Sequence, residues 1–183
     1  MLFRSTTGVV AVGGAHLTND LSIGLRLKEA QAEKLKLRYG TAEVVTRDRN
    51  QKVWMDGTFA IGDRQFPQQT IEQITAARAQ ELLEVVKARL GNAFSLESCA
   101  AGVVLTGGTS KLPGIVGLAA RVFGVPAHLG EAPTWVSENL RDPGYHTALG
   151  LLYCGVSSQA DKQGARGAGG GFLSGLRKLF SQS

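Results

Sequence analysis

The sequence has few of the residues that build metal centres, disulfide frameworks or nucleophilic active sites. It contains two cysteines, Cys99 and Cys154, and three histidines, His16, His128 and His146. None of them stands at a metal-ligand spacing, and no Ser/His/Asp or Cys/His order is visible. The sequence therefore predicts no metal site and no catalytic residue. So few cysteines, without an export signal, favour a reducing cytosol.

Long apolar runs are also missing. No stretch reaches the length of about 18 apolar residues that a transmembrane helix needs. Hydrophobic residues make up 43% of the 183 residues, charged residues 19% and aromatic residues 7%. This composition is typical of a globular chain of about one domain, and it excludes wholesale disorder.

Acidic residues are scarce near the C-terminus. The formal net charge is +5. From residue 151 onward only Asp161 opposes the basic residues Lys162, Arg166, Arg177 and Lys178, so the first 150 residues are close to neutral. A near-neutral body argues against a broad nucleic-acid-binding face. We therefore expect no nucleic-acid partner.

Hydrophobic periodicity predicts an α/β fold. Buried strands are expected at 7–12 and 102–106, and other strands at 42–46, 52–55 and 125–129. Helices are expected at 16–25, 28–39, 70–90, 109–123 and 145–153. A capping box formed by Thr70 and Gln73 would begin the longest helix. This order predicts a small α+β insertion between two halves of one sheet layer.

Two glycine-rich turns each follow an apolar run and precede a helix. They are Gly13-Gly14 and Gly107-Gly108-Thr109-Ser110. Glycine lets the backbone approach a ligand closely, and a helix N-terminus offers free N–H groups to phosphate. Ordinary tight turns explain either motif taken alone. Two such turns facing one cleft would indicate a nucleotide site.

A possible sugar- and base-binding pair lies on the predicted helix 28–39. The Glu33 carboxylate can bind sugar hydroxyls, and the Lys36 stem can lie along a base. A solvated helix face, stabilised by a charge pair three residues apart, explains the same residues.

The C-terminal segment reads as an amphipathic helix behind a flexible tether. Residues 157–171 are rich in glycine and polar residues and cannot bury a core. Beyond them, one helical face carries Phe172, Leu173, Leu176, Leu179 and Phe180, while Arg177 and Lys178 lie off it. This pattern suits an anionic membrane surface. Docking on the body or in a partner groove is the alternative.

Several blocks resemble the bacterial cell-division family FtsA, a family of actin homologues. The blocks are residues 9–26, 32–40, 102–110 and 145–152, together with the tail. The resemblance implies the second half of an actin-like (ribonuclease H-like) ATPase. Subdomain 2A would comprise 1–27 and 97–155, with an inserted α+β subdomain 2B at 28–96. A disordered linker at 156–171 and a membrane-targeting amphipathic helix at 172–183 would follow.

The resemblance also implies a nucleotide site. ATP with Mg²⁺ would be the cofactor of the full-length family. Gly107, Gly108, Thr109 and Ser110 would line the adenosine side of the cleft. Glu33 and Lys36 would reach ribose and adenine, and Gly13 and Gly14 would lie near the cleft floor.

The resemblance implies a role in cell division. The chain would tether filaments of FtsZ to the inner face of the cytoplasmic membrane and help to assemble the septum with other divisome proteins. It would also polymerise with itself. Arg64 and Arg78 would dock the FtsZ C-terminal peptide, although solvated surface arginines are the alternative.

The phosphate loops of the family do not occur in this sequence. In particular, it has no Asp-x-Gly-Gly-Gly-Thr-Thr motif. We therefore expect a fragment that binds ATP weakly or not at all, that is not an enzyme, and that exposes a sheet edge.

Other actin-like proteins remain alternatives. A shape protein of the MreB type is not expected to end in a linker and an amphipathic helix. A pilus-assembly protein of the PilM type is harder to separate from this pattern.

Overall fold

The backbone alternates helices with short strands. The computed structural model describes residues 7–48, 50–55, 64–91, 99 and 101–164, without the side chains of 54, 55, 64 and 157–164. The described helices are α1 (Gly14–Leu25), α2 (Glu29–Tyr39), α3 (Gln68–Leu90), α4 (Ile115–Phe123) and α5 (His146–Gly164). The described strands are β1 (Lys52–Met55), β2 (Arg64–Pro67), β3 (Val103–Leu105) and β4 (Ala127–Leu129).

The chain divides into two compact units. The first comprises Met1–Val104 and Leu112–His128, and the second comprises Leu105–Lys111 and Leu129–Ser183. The subdomain bounds expected from the family resemblance stay a prediction.

Helices α1 and α2 form where the sequence pattern places them. α1 buries Leu17, Leu21 and Leu25 along one face, as apolar spacing of four residues predicts. α2 ends at Gly40, whose N–H donates to the Lys36 carbonyl at 2.9 Å. A Cβ at this position would lie 2.4 Å from that carbonyl oxygen. Glycine is therefore required where α2 ends.

The core of the first unit joins α1, α2, α3 and the β1–β2 hairpin. Strand β1 pairs with β2 in antiparallel register, with Val53 opposite Phe66. The sequence did not predict β2. The buried core residues are Leu21, Leu25, Ala32, Leu35, Val53, Phe66 and Ile71.

Helix α3 begins two residues earlier than predicted, and its N-cap is Pro67. The predicted capping box is therefore wrong, because Thr70 and Gln73 both lie inside the helix. The buried face carries Ile71, Glu72, Thr75, Ala79 and Leu83.

Residues 7–12 are not a strand, although their apolar run predicted one. Neither described sheet includes them, and Val9 is 87% exposed. A strand is stable only beside a pairing partner, and the described residues provide none here.

Residues 42–46 are also wrongly predicted as a strand. The N–H groups of Val45 and Thr46 donate to the carboxylate of Glu72 at 2.9 and 2.8 Å. A helix side chain thus satisfies the backbone donors that a neighbouring strand would otherwise take up.

Strands β3 and β4 form a second sheet; the sequence predicted both strands but not their pairing in a separate sheet. Val103 N–H donates to the Pro126 carbonyl, and Gly130 N–H donates to the Leu105 carbonyl, each at 2.8 Å. These bonds advance along both strands in the same direction, the pattern of a parallel pair. The middle residue of β3, Val104, is exposed, so β3 is not the fully buried strand that was expected.

The turn after β3 is a 3₁₀ helix at Gly108–Lys111. The predicted helix over 109–123 is therefore shorter, because α4 begins only at Ile115, after Gly114 with φ of 80°. Its buried residues are Ile115, Leu118, Ala119 and Phe123.

Helix α5 is longer than predicted. It continues to Gly164, through residues that were assigned to the linker. Residues 157–163 contain no glycine or proline, so nothing in them ends a helix before Gly164. Residues 165–183, with the rest of the linker and the predicted membrane-targeting helix, lie outside the described residues.

Candidate nucleotide site

The structure brings Glu33 and Lys36 together at the N-terminal end of α1. Lys36 Nζ lies 2.7 Å from Glu33 Oε2 and donates to the Gly14 carbonyl at 3.3 Å. The hydroxyl of Thr18 accepts from Lys36 at 2.9 Å and donates to Glu33 at 2.5 Å. Four residues that α1 and α2 position therefore form one polar cluster, which we call the α1–α2 cluster.

The charge state of this cluster follows from its contacts. Burial acts to raise the pKa of Glu33, but the hydrogen bonds from Lys36 and Thr18 and the charge of Lys36 lower it below its ordinary value. Glu33 is therefore an anion at neutral pH. Its side chain remains 41% exposed, whereas that of Lys36 is 15% exposed. The carboxylate is thus the part of the cluster that a ligand can reach.

Gly13 is the N-cap of α1, and Gly14 is its first residue. The Gly13 N–H donates to His16 Nδ1 at 3.2 Å, and the Gly13 carbonyl accepts from the His16 N–H at 2.9 Å. A Cβ on Gly13 would meet no atom within 4 Å. Open space therefore surrounds this backbone, as an approaching ligand requires.

The second glycine turn belongs to the second unit. Ser110 Oγ donates to the Gly107 carbonyl at 2.7 Å, and the Gly107 N–H donates to the Pro143 carbonyl at 3.1 Å. Gly107 has φ of 87°, which favours glycine. A Cβ at Gly107 or Gly108 would again meet no atom within 4 Å. Thr109 lies between Gly108 and Ser110 in the 3₁₀ helix.

A polar network lies beside this turn, and sequence reasoning missed it. Lys111 Nζ lies 2.6 Å from Asp142 Oδ2, and Thr106 Oγ1 lies 2.8 Å from His146 Nδ1. The hydrogen bonds from Lys111 and from the Gly144 N–H lower the pKa of Asp142. The network connects the turn after β3 to the residues that begin α5.

Of the two predicted docking arginines, the structure describes the side chain of Arg78 but not that of Arg64. Arg64 is the first residue of β2, and its side chain lies outside the described residues. Arg78 is held by Asp20 through two contacts, Nε to Oδ2 at 2.5 Å and NH2 to Oδ1 at 3.0 Å. Glu81 adds a third contact at 2.8 Å. The hydrogen bond that Arg78 donates to Asp20 raises the pKa of Arg78, so the side chain stays fully charged.

None of the described helices is long and apolar enough to cross a membrane. The predicted membrane-binding residues lie outside the described part of the chain. They are Phe172, Leu173, Leu176, Arg177, Lys178, Leu179 and Phe180.

Solved structures define the class of fold. MreB5 of Spiroplasma citri bound to ADP superposes with a TM-score of 0.53 at 16% identity, over 66% of this chain and 40% of that protein. The same organism's MreB5 bound to AMPPNP gives a TM-score of 0.59 at 13% identity, over 84% and 47%. The chain has an actin-like fold.

Sequence comparison defines the family. The family model described as "Cell division protein FtsA" matches residues 1–150, and the chain belongs to that family. The relative named cell division protein FtsA from Neisseria meningitidis is 33% identical over 187 residues, 97% of this chain and 45% of the relative. Those from Pseudomonas aeruginosa and Bacillus subtilis are 32% and 33% identical, over 85% and 81% of this chain.

The chain spans less than half the length of these relatives: 45%, 38% and 33% of the three named above. The family match favours the cell-division family over the pilus-assembly alternative.

Proposed function

We propose that this chain tethers filaments of FtsZ to the inner face of the cytoplasmic membrane at the division site, together with other divisome proteins. The observation that carries the proposal is the family match over residues 1–150. Its relatives bear the name of a cell-division protein. The proposal assigns filament binding to the folded part and membrane binding to the tail.

The sequence of the tail supports the membrane half of the proposal. Residues 172, 173, 176, 179 and 180 supply the apolar face, and residues 177 and 178 supply two basic charges. Burying five large apolar side chains contributes roughly 1.5–3 kcal/mol each, and ordering a coil into a helix offsets much of this. One copy should therefore bind weakly. Copies held together on a filament should bind strongly through multivalency.

We also propose a nucleotide-binding role for residues of both glycine turns and of the α1–α2 cluster. In the first unit, Glu33 and Lys36 would recognise ribose and adenine beside the backbone of Gly13 and Gly14. In the second unit, residues 107–110 would offer exposed backbone to a nucleotide. The Asp-x-Gly-Gly-Gly-Thr-Thr motif does not occur in these 183 residues, so we infer that they would lack groups that hold the phosphates of a bound ATP–Mg²⁺. We expect that residues 1–183 bind ATP weakly and do not hydrolyse it. Micromolar binding with turnover, measured by titration and phosphate release, would contradict this.

Flotation with anionic liposomes tests the membrane half. We expect the full chain to float and a version ending at Gly171 to remain at the bottom. A matched control replaces only the two charges, Arg177→Gln and Lys178→Gln. It should float less well than the full chain on anionic liposomes and depend less on salt, because it lacks the electrostatic attraction of these two charges. Equal behaviour of the full and shortened chains would refute the tail assignment.

A further inference from the structure

The first unit concentrates basic charge around helix α2. Residues 26–38 contain five basic side chains and two acidic ones, whereas the first 150 residues as a whole are close to neutral. Within this stretch Glu33 and Lys36 neutralise each other as an ion pair, with Nζ and Oε2 2.7 Å apart. The other charged residues of the stretch, four basic and one acidic, are all exposed. The surface around α2 is therefore positive.

Lys34, Leu37 and Arg38 lie on one face of α2. Residues three and four positions apart are neighbours on a helix surface, and these three point away from Ala32 and Leu35, which α2 buries. Lys34 and Arg38 are exposed, and Leu37 is 75% exposed. We call Lys34, Leu37 and Arg38 the α2 face.

The leucine in this face distinguishes between the possible partners. Leu37 stands between two cations, since Lys34 precedes it by three positions and Arg38 follows it directly. A polyanion such as a nucleic acid attracts the cations through its phosphates, but it gains little from an exposed leucine. The surface of an anionic bilayer accommodates both, because apolar side chains enter the acyl boundary while lysine and arginine meet the headgroups.

We propose that the α2 face makes a second contact with the anionic membrane surface, in addition to that of the tail. The inference rests on the proposed membrane role and adds a site in the folded part of the chain. One lysine or arginine near an anionic leaflet strengthens binding about fivefold, so this contact is weak alone. Together with the tail it acts through multivalency, and it determines which side of the first unit faces the membrane.

A site-specific fluorescent label tests the contact directly. Leu37→Cys is made in the full chain with both native cysteines, Cys99 and Cys154, replaced by serine, and it is labelled with a dye that brightens in apolar surroundings. Vesicles of phosphatidylserine and phosphatidylcholine should raise the emission severalfold. The matched control is Gln80→Cys, at an exposed position of α3 beside the acidic Glu84. Its label should not respond.

Substitutions separate the contribution of charge from that of the apolar side chain. Arg38→Gln should lower the partition of the full chain onto these vesicles about fivefold, and Leu37→Gln should lower it by roughly five- to tenfold. The matched control is Arg121→Gln, which removes the same charge from an exposed position of α4 and should change partition by less than about twofold. Far-ultraviolet circular dichroism checks that the variants fold.

The outcomes separate this inference from the proposed function. A full chain that floats while the label at position 37 stays silent would overturn the α2 contact and leave the tail assignment intact. A response of that label in the chain ending at Gly171, at high lipid concentration, would support the α2 contact even if the tail assignment failed. A full chain that neither floats nor shows a label response would overturn both.

A different partner would also be recognisable. If Leu37→Gln binds vesicles like the wild-type chain, and Arg38→Gln weakens binding to vesicles and to polyphosphate equally, the α2 face is a general polyanion site. That result would overturn the membrane assignment.

Discussion

Thr46 donates two hydrogen bonds to the carboxylate of Glu72: its N–H to Oε2 at 2.8 Å and its hydroxyl to Oε1 at 2.6 Å. Val45 N–H and the Gln68 amide occupy the remaining acceptor sites at 2.9 and 3.0 Å. Glu72 is 3% exposed. One buried carboxylate on α3 therefore fixes the extended segment that follows α2.

Replacement of Glu72 by glutamine should destabilise the first unit. The amide nitrogen would face groups that are themselves donors, which costs about 1–3 kcal/mol in the free energy of unfolding. Denaturant unfolding at pH 7 measures the loss. Glu84→Gln is the matched control, since Glu84 is an exposed residue of the same helix and accepts a hydrogen bond from Gln80. Equal losses in the two variants would contradict the role of Glu72.

The same carboxylate should make stability depend on pH. Burial acts to raise the pKa of Glu72, but the hydrogen bonds from Thr46, Gln68 and Val45 lower it below its ordinary value of 4.5. A lowered folded-state pKa gives stability that is present above the unfolded-state value and lost as pH falls through the lowered value. The difference between the wild-type chain and Glu72→Gln should therefore shrink below pH 4.5. A difference independent of pH would refute this.

Thr18 should set the ionisation of Glu33. Thr18→Val removes a hydroxyl that donates to the carboxylate, while Lys36 stays in place. We expect the pKa of Glu33 to rise toward its ordinary value, as followed by the NMR shift of the carboxyl carbon. Thr18→Ser keeps the donor and should leave the pKa lowered. An unchanged pKa in Thr18→Val would show that Lys36 alone governs Glu33.

Gly102 should tolerate no side chain. Its φ is 90°, and a Cβ would lie 2.3 Å from the Pro126 carbonyl oxygen, which accepts the Val103 N–H. Gly102→Ala should cost roughly 1–3 kcal/mol of stability. Gly108→Ala, where a Cβ meets no atom within 4 Å, should change stability by less than about 0.5 kcal/mol. Thermal unfolding measures the stability of the two variants, and equal losses would contradict the prediction.

The proposed docking role of Arg78 predicts opposite changes in peptide affinity for substitutions of Asp20 and of Arg78. Asp20→Asn weakens the ion pair that holds the guanidinium, so the affinity for the FtsZ C-terminal peptide should rise several-fold. Arg78→Gln should lower it by a similar factor, about three- to tenfold. Arg121→Gln is the control, since Arg121 is exposed and pairs with Glu43. If both Arg78→Gln and Arg121→Gln bind like the wild-type chain in fluorescence anisotropy, Arg78 serves only the ion pair.

Local signals were enough to predict α1, α2, β1, β4 and the stop at Gly40. The pairing of Glu33 with Lys36 also followed from their spacing of three residues on a helix. Each of these predictions depends on residues within a few positions of each other, or on a glycine.

Long-range partners account for what the sequence did not reveal. Residues 42–46 have the composition of a strand, but their backbone donors are satisfied by Glu72, 26 positions beyond Thr46. Thr18 joins the α1–α2 cluster from 15 positions away, and Asp20 holds Arg78 across 58 positions. No periodicity encodes such contacts. For Thr18, a small polar residue on the buried face of α1 was the one available signal.

The central claim is that this chain carries FtsZ filaments to a membrane. The most direct test floats anionic liposomes with polymerised FtsZ in the presence of the full chain or the chain ending at Gly171. The account predicts that FtsZ floats only with the full chain. FtsZ that stays at the bottom while the full chain itself floats would contradict the claim.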